Sequence, residues 1–340
     1  GVPIIPRLAF VGGAGGSRGG PCSAAGRVPE DPSPPTSFPS DARKRRAAQH
    51  ERLDFWMVMP GIESKMIKGV ATYNLQSWNE LKELYESQFL NNLSFAYRGQ
   101  RCESWSLAPT ITRKLTDKRK FGHSLPVSNQ LTIDRHLELF QKSILGRRGT
   151  NPKKLPENEL WALGQHHGLE TPLLDWTTSP YVATFFAFKR DRTSEPNRAI
   201  WILDLNALKY ASELLLNVLA ENKDKENNQY GAKREPIEIV RPDSDENERL
   251  IIQGGVFTKI PFYSSLEQWA EKCMPGYLHK VIVPDSERNE ILRSLDKMNI
   301  NDATLFPDLG GASEYCNYML EIHGNGSLND SRQREVAPFV

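Results

Sequence analysis

Cysteine is scarce, net charge is almost nil and long apolar runs are missing. The four cysteines in 340 residues, Cys22, Cys102, Cys273 and Cys316, lie far apart with no CxxC spacing. That excludes a disulfide scaffold and a zinc ribbon, and it fits a reducing cytoplasm. Lys and Arg total 43 against 42 Asp and Glu, for a formal charge of +1. The balance removes the whole-molecule argument for a nucleic-acid or membrane-surface partner. No window approaches 18 consecutive apolar residues, so no membrane span is expected. Also missing are a GxGxxG after a strand, GxxxxGK followed by Ser or Thr, GxSxG and HExxH. The chain also shows no 20–50-residue repeat.

What is present is unevenly spread. Residues 1–39 hold 8 of the 24 Gly and 8 of the 23 Pro. Such a run buries too little apolar surface to offset the entropy of ordering its backbone, so residues 1–65 are expected to be disordered. The cluster Arg43-Lys44-Arg45-Arg46 reads as a solvated charge run, with a polyanion-binding patch as the alternative. The chain opens on Gly. The segment reads as a cloning remnant, an upstream translation or a truncated precursor, with Met57, Met59 and Met66 as alternative starts. Residues 66–340 carry 34 basic and 36 acidic residues, so the expected domain, 66–322, is faintly acidic. A polar tail is expected over 323–340.

Within the domain, Ser77-Trp78-Asn79-Glu80 reads as a capping box opening a helix. Leu93–Tyr97 reads as a strand that delivers Arg98 at its end. Leu131–Ile144 and Leu155–Leu163 have helical spacing. Ser179-Pro180 places Ser at the N-cap and Pro at the first helical position, ahead of Tyr181–Lys189. Ala199–Leu205 reads as a buried strand and Ala207–Leu219 as a helix. Ile237–Val240, Leu250–Ile252, Val256–Ile260 and Tyr277–Val283 read as strands, and Ser286 as the cap of a helix through Met298. Several adjacent strands lack the crossover helix that parallel pairing requires. The expected fold is therefore α+β, a single domain with a mixed, largely antiparallel sheet and flanking helices.

The polar residues that stand out fall in four dense segments: Phe95–Gln100, Gly164–Pro180, Asn247–Phe257 and Leu305–Leu309. Tyr97-Arg98-Gly99-Gln100 resembles the naming motif of the FRG domain family, which is common in bacteria and phages. The Gln165-His166-His167-Gly168 stretch, with Leu173-Leu174-Asp175-Trp176-Thr177 and the Ser179-Pro180 helix, is similar to that family's most recognisable segment. Arg249…Gln253-Gly-Gly-Val-Phe257 and Leu305-Phe306-Pro307-Asp308 resemble its later blocks. Pro172 stands where the family has Arg, so any contact that Arg makes is lost here.

A second resemblance is to ADP-ribosyltransferases of the Arg–Ser–Glu type. Arg98, Thr177-Thr178-Ser179 before an Ala/Phe-rich helix, and Glu248 occur in that order. It implies an enzyme that consumes NAD in a bacterial defence or toxin-like role. Arg98 would clamp pyrophosphate through its bidentate fork, Ser179 would position ribose or the carboxylate, and Glu248 would stabilise the oxocarbenium ion. Gln100, Gln165, His166, Asp175, Thr178, Arg249 and Gln253 would bind substrate. No metal and no resident cofactor are expected; NAD enters as co-substrate, and the acceptor is a protein or a nucleic acid. Each residue has a plainer reading. Arg98 can be an ion-pair partner, His166 a structural hydrogen-bonding group, Asp175 a cap, and Glu248 a solvated carboxylate. Two other functions compete: a non-catalytic nucleotide- or protein-binding module, and a nuclease using His166 or His167 as acid and base. Arg98, His166, Asp175 and Gln253 are expected to converge on one polar pocket.

Overall fold

The computed structural model describes residues 62–116, 129–189, 196–221, 235–242, 251–262 and 264–324. The expected disordered segment (1–65, apart from its last residues) and the tail beyond Gly324 lie outside them. So do Glu248 and Arg249.

Strands β1 (Ser64–Ile67), β2 (Val70–Asn74), β3 (Phe95–Gln100), β4 (Leu173–Thr177), β5 (Asn197–Asp204), β6 (Glu238–Val240), β7 (Gly255–Lys259) and β8 (Leu278–Pro284) form one sheet in the order β1-β2-β8-β5-β3-β4-β7-β6. Only the β2–β8 pairing is parallel; every other neighbouring pair is antiparallel. The mixed, largely antiparallel α+β sheet is thus present. No helix among the described residues is long and apolar enough to cross a membrane.

Strand β5 explains why helices cover both faces. Its side chains alternate, as a pleated strand must, and both sets are buried. Ile200 and Ile202 enter a core with Tyr85, Phe185, Phe188 and Leu292. Ala199, Trp201 and Leu203 enter another with Leu208, Leu266 and Trp269. Helices α1 (Trp78–Leu84, continued by a π-helical turn Tyr85–Phe89), α5 (Pro180–Phe188) and α8 (Arg288–Lys297) supply the first face. Helices α6 (Leu205–Glu221) and α7 (Leu266–Cys273) supply the second. A third cluster at the β4–β7 end gathers Ile111, Ile133, Trp161 and Phe257 from α2 (Thr110–Thr116), α3 (Asn129–Ser143), α4 (Glu157–His166) and β7.

Local expectations and structure differ at several points: β1 takes in Ser64 and Lys65 of the segment expected to be disordered, and Ser77 caps α1 without a closed capping box, because Glu80 accepts from Gln76 N–H. Strand β3 runs past Tyr97 to Gln100, because β5 pairs with it along the whole of Phe95–Gln100; Arg98 therefore sits inside the strand. Ile251 and Ile252 are helical and exposed, leading into a turn at Gly254 (φ 57°), since a short apolar run does not tell helix from strand by period alone. Ser286 does not cap α8: a 3₁₀ turn, Asp285–Glu287, intervenes, and Asp285 is held by the buried Arg198 through its Nε at 2.7 Å. A one-turn helix, α9 (Asp302–Leu305), and a longer one, α10 (Leu309–Gly324), are the last described elements.

Candidate functional site

The sheet is nearly interrupted at its centre. β3 and β4 share a single paired position, Tyr97 opposite Thr177, whereas each pairs extensively with its other neighbour. Beyond that bridge the two strands part, and a cleft of about 520 Å³ opens at the gap.

Arg98 spans the gap. Its Nη1 donates to the Asp175 backbone carbonyl at 2.7 Å and lies 3.3 Å from the Asp175 carboxylate. Arg98 is largely buried while the Asp175 side chain is 60% exposed, so this contact anchors the arginine more than it neutralises a dry ion pair. The other carboxylate oxygen accepts from Gln165 Nε2, and Gln165 Oε1 in turn accepts from the buried Thr171 hydroxyl. Gln165 therefore orients Asp175 from behind without lining the cleft.

Gln100 and Gln253 line the same cleft, each with its amide engaged. Gln100 accepts from the Trp201 indole at 2.9 Å and donates to the Ser106 carbonyl at 3.3 Å. Gln253 donates to the Leu305 carbonyl at 3.0 Å, tying α9 to the cleft wall. The structure thus brings Arg98, Gln100, Asp175 and Gln253 together, with Gln165 one contact behind.

The hydroxyl run that starts at the last residue of β4, the cleft-lining Thr177, is engaged with backbone groups. Thr177 Oγ1 donates to the Gln253 carbonyl at 2.5 Å and accepts from Ser179 N–H at 3.1 Å. Thr178 N–H donates to the Gly254 carbonyl at 2.9 Å. Ser179 Oγ accepts from Val182 N–H at 3.3 Å as the N-cap of α5. Neither Thr178 nor Ser179 lines the cleft. The hydroxyl expected to meet a ligand is occupied by a helix terminus, whose free N–H groups need an acceptor. His166 and His167 close α4 with their rings edge to face at 4.9 Å, and neither lines the cleft.

Sequence reasoning missed much of the cleft's positive charge and aromatic surface. Arg101 and Arg113 line it, as do Lys189, Trp105, Phe186 and Phe306. Lys189 Nζ pairs with Asp302 at 2.6 Å and lies 4.2 Å above the Phe306 ring. The Arg101 guanidinium lies 5.3 Å from the Trp105 ring centre. Asp175 is the one carboxylate among the described lining residues, so the cleft is net positive although the domain is not. Among the described residues no three His, Cys, Asp or Glu side chains are placed to hold a metal.

No curated protein and no solved structure matches the chain. A family model matches residues 93–196, a span that takes in Arg98 and the Gly164–Pro180 segment and leaves out the Arg249–Phe257 and Leu305–Asp308 blocks. That model is the FRG domain, and the residues it matches build both sides of the β3–β4 gap.

Proposed function

We propose that the cleft at the β3–β4 gap binds a phosphate-bearing nucleotide and, with NAD as co-substrate, breaks the bond between nicotinamide and ribose. The observation that carries this reading is the Arg98 guanidinium held in the gap beside the exposed Asp175 carboxylate. An arginine fork suits pyrophosphate, and a nearby carboxylate suits the positive charge that develops on ribose. In the reaction the C1′–N bond breaks, its electron pair leaves with nicotinamide, and water or a protein or nucleic-acid nucleophile adds to C1′ and gives up a proton. Such an activity fits a defensive or toxin-like role in which NAD is consumed.

Two carboxylates compete for the stabilising role, Asp175 in the cleft and Glu248 beyond the described residues. Nicotinamide release from NAD by the purified chain, compared among wild type, Asp175→Asn and Glu248→Gln, tests the reading. A fall of roughly 10²–10³ is expected for the variant that removes the working carboxylate. Absence of release from folded wild-type protein refutes catalysis.

A binding module is the second reading, favoured by one contact: Asp175 is already engaged by both Arg98 and Gln165. NAD bound without nicotinamide release supports it.

A further inference from the structure

The positive charge of the cleft is arranged as a pair. Arg113, on α2, lines the cleft with Arg98, and its side chain has no hydrogen-bond or ion-pair partner among the described residues. The helix is fixed in place. Thr110 Oγ1 donates to the Thr171 carbonyl at 3.3 Å and accepts from Thr171 N–H at 3.0 Å, and buried Thr112 donates to the Phe262 carbonyl at 3.1 Å. Arg113 is thus presented from a helix docked four residues before Asp175. Partial burial first, and then the neighbouring Arg98, pull its pKa below the ordinary arginine range, with Glu170 and Asp175 opposing. Arg98 and Arg113 thus place two guanidinium groups on one cleft whose described lining holds a single carboxylate, Asp175, and the excess positive charge suits an anion.

Aromatic surface lines the same cleft. Trp105 is 39% exposed, an unusual exposure for so large a ring, and the guanidinium of Arg101 is stacked near it. An exposed indole lining the same cleft as two arginines matches a ligand that carries a flat base and two linked phosphates.

We infer that the cleft takes a nucleoside diphosphate moiety, with Arg98 and Arg113 sharing the two phosphates and Trp105, braced by Arg101, stacking the base. The inference rests on the nucleotide reading of the cleft and narrows it to one ligand class. It does not require catalysis.

Isothermal titration of the full chain with ADP, adenosine and inorganic pyrophosphate tests it, using wild type, Arg113→Ala, Arg113→Lys and Trp105→Ala. ADP is expected to bind wild type more tightly than either fragment. Arg113→Ala should weaken ADP and pyrophosphate roughly tenfold to a hundredfold and leave adenosine unchanged, with Arg113→Lys in between. Trp105→Ala should weaken ADP and adenosine roughly tenfold and spare pyrophosphate. Thermal unfolding of each variant separates lost contacts from lost fold, and Arg113→Ala should melt as wild type does. ADP affinity unchanged in folded Arg113→Ala, or ADP bound no more tightly than pyrophosphate, overturns the inference. The two readings fail separately. ADP binding with this variant pattern but no nicotinamide release ends the catalytic reading alone, whereas nicotinamide release with an unaltered KM in Arg113→Ala ends this one alone.

Discussion

Arg98 reaches across the parted strands β3 and β4 and donates to the Asp175 backbone carbonyl at 2.7 Å. The contact joins the two strands where their ladder stops after Tyr97 and Thr177. It also fixes the guanidinium at the mouth of the gap, so a ligand meets an arginine whose position is already set.

Ser179 separates the capping role from a chemical one. Ser179→Ala removes the acceptor at the N-terminus of α5 and should cost about 1 kcal/mol of stability by urea unfolding. Nicotinamide release per folded molecule should be unchanged. A large loss of turnover with little loss of stability would return Ser179 to the chemistry.

Gly99 is required by packing against a helix. A Cβ there would meet the Ala183 carbonyl oxygen at 2.0 Å and the Ala187 nitrogen at 2.6 Å. Both obstacles are backbone, so α5 itself would have to move. Gly99→Ala should destabilise by about 3 kcal/mol, read from the urea midpoint. A midpoint within experimental error of wild type would contradict the close strand–helix contact.

His279 makes stability depend on pH. Its imidazole is buried among Tyr73, Phe89 and Phe95, its Nδ1 has no partner among the described residues, and burial lowers its pKa to about 4. The unfolded chain, with an ordinary histidine near 6.5, therefore binds more protons than the folded one between pH 6.5 and 4. Stability should fall as pH is lowered through that window, by on the order of 3 kcal/mol in all. Urea titrations of wild type and His279→Leu at pH 7, 5.5 and 4 check this. The variant should lose this part of the pH dependence, and a slope equal to that of wild type would assign the effect elsewhere.

Much of the scaffold is legible in the sequence because its signals are local. The Ser179-Pro180 helix start, the apolar run that becomes β5 and the lack of crossover segments are read within short windows, and the sheet follows from them. The cleft is only partly legible. Arg98, Asp175 and Gln253 stand out as polar residues in apolar company, but their meeting depends on β3 and β4 separating, which no window encodes. Arg113 and Trp105 fall between the dense segments and carry no motif, so their place is set by tertiary docking alone. Phe306 lies inside the Leu305–Leu309 segment and Lys189 closes the expected Tyr181–Lys189 helix, yet neither carries a local sign that it faces the cleft. Pro172 stands where the FRG resemblance leads one to expect an arginine, and α2, docked on Thr171, brings Arg113 to the cleft.

Ligand binding at the cleft is expected to turn on the Arg98 guanidinium in the gap. NAD affinity of wild type and Arg98→Lys, measured by isothermal titration on protein shown to be folded, tests it most directly. Lysine keeps the charge and loses the fork, so the account predicts NAD binding to wild type and at least roughly tenfold weaker binding to Arg98→Lys. Equal affinity for the two proteins would contradict it.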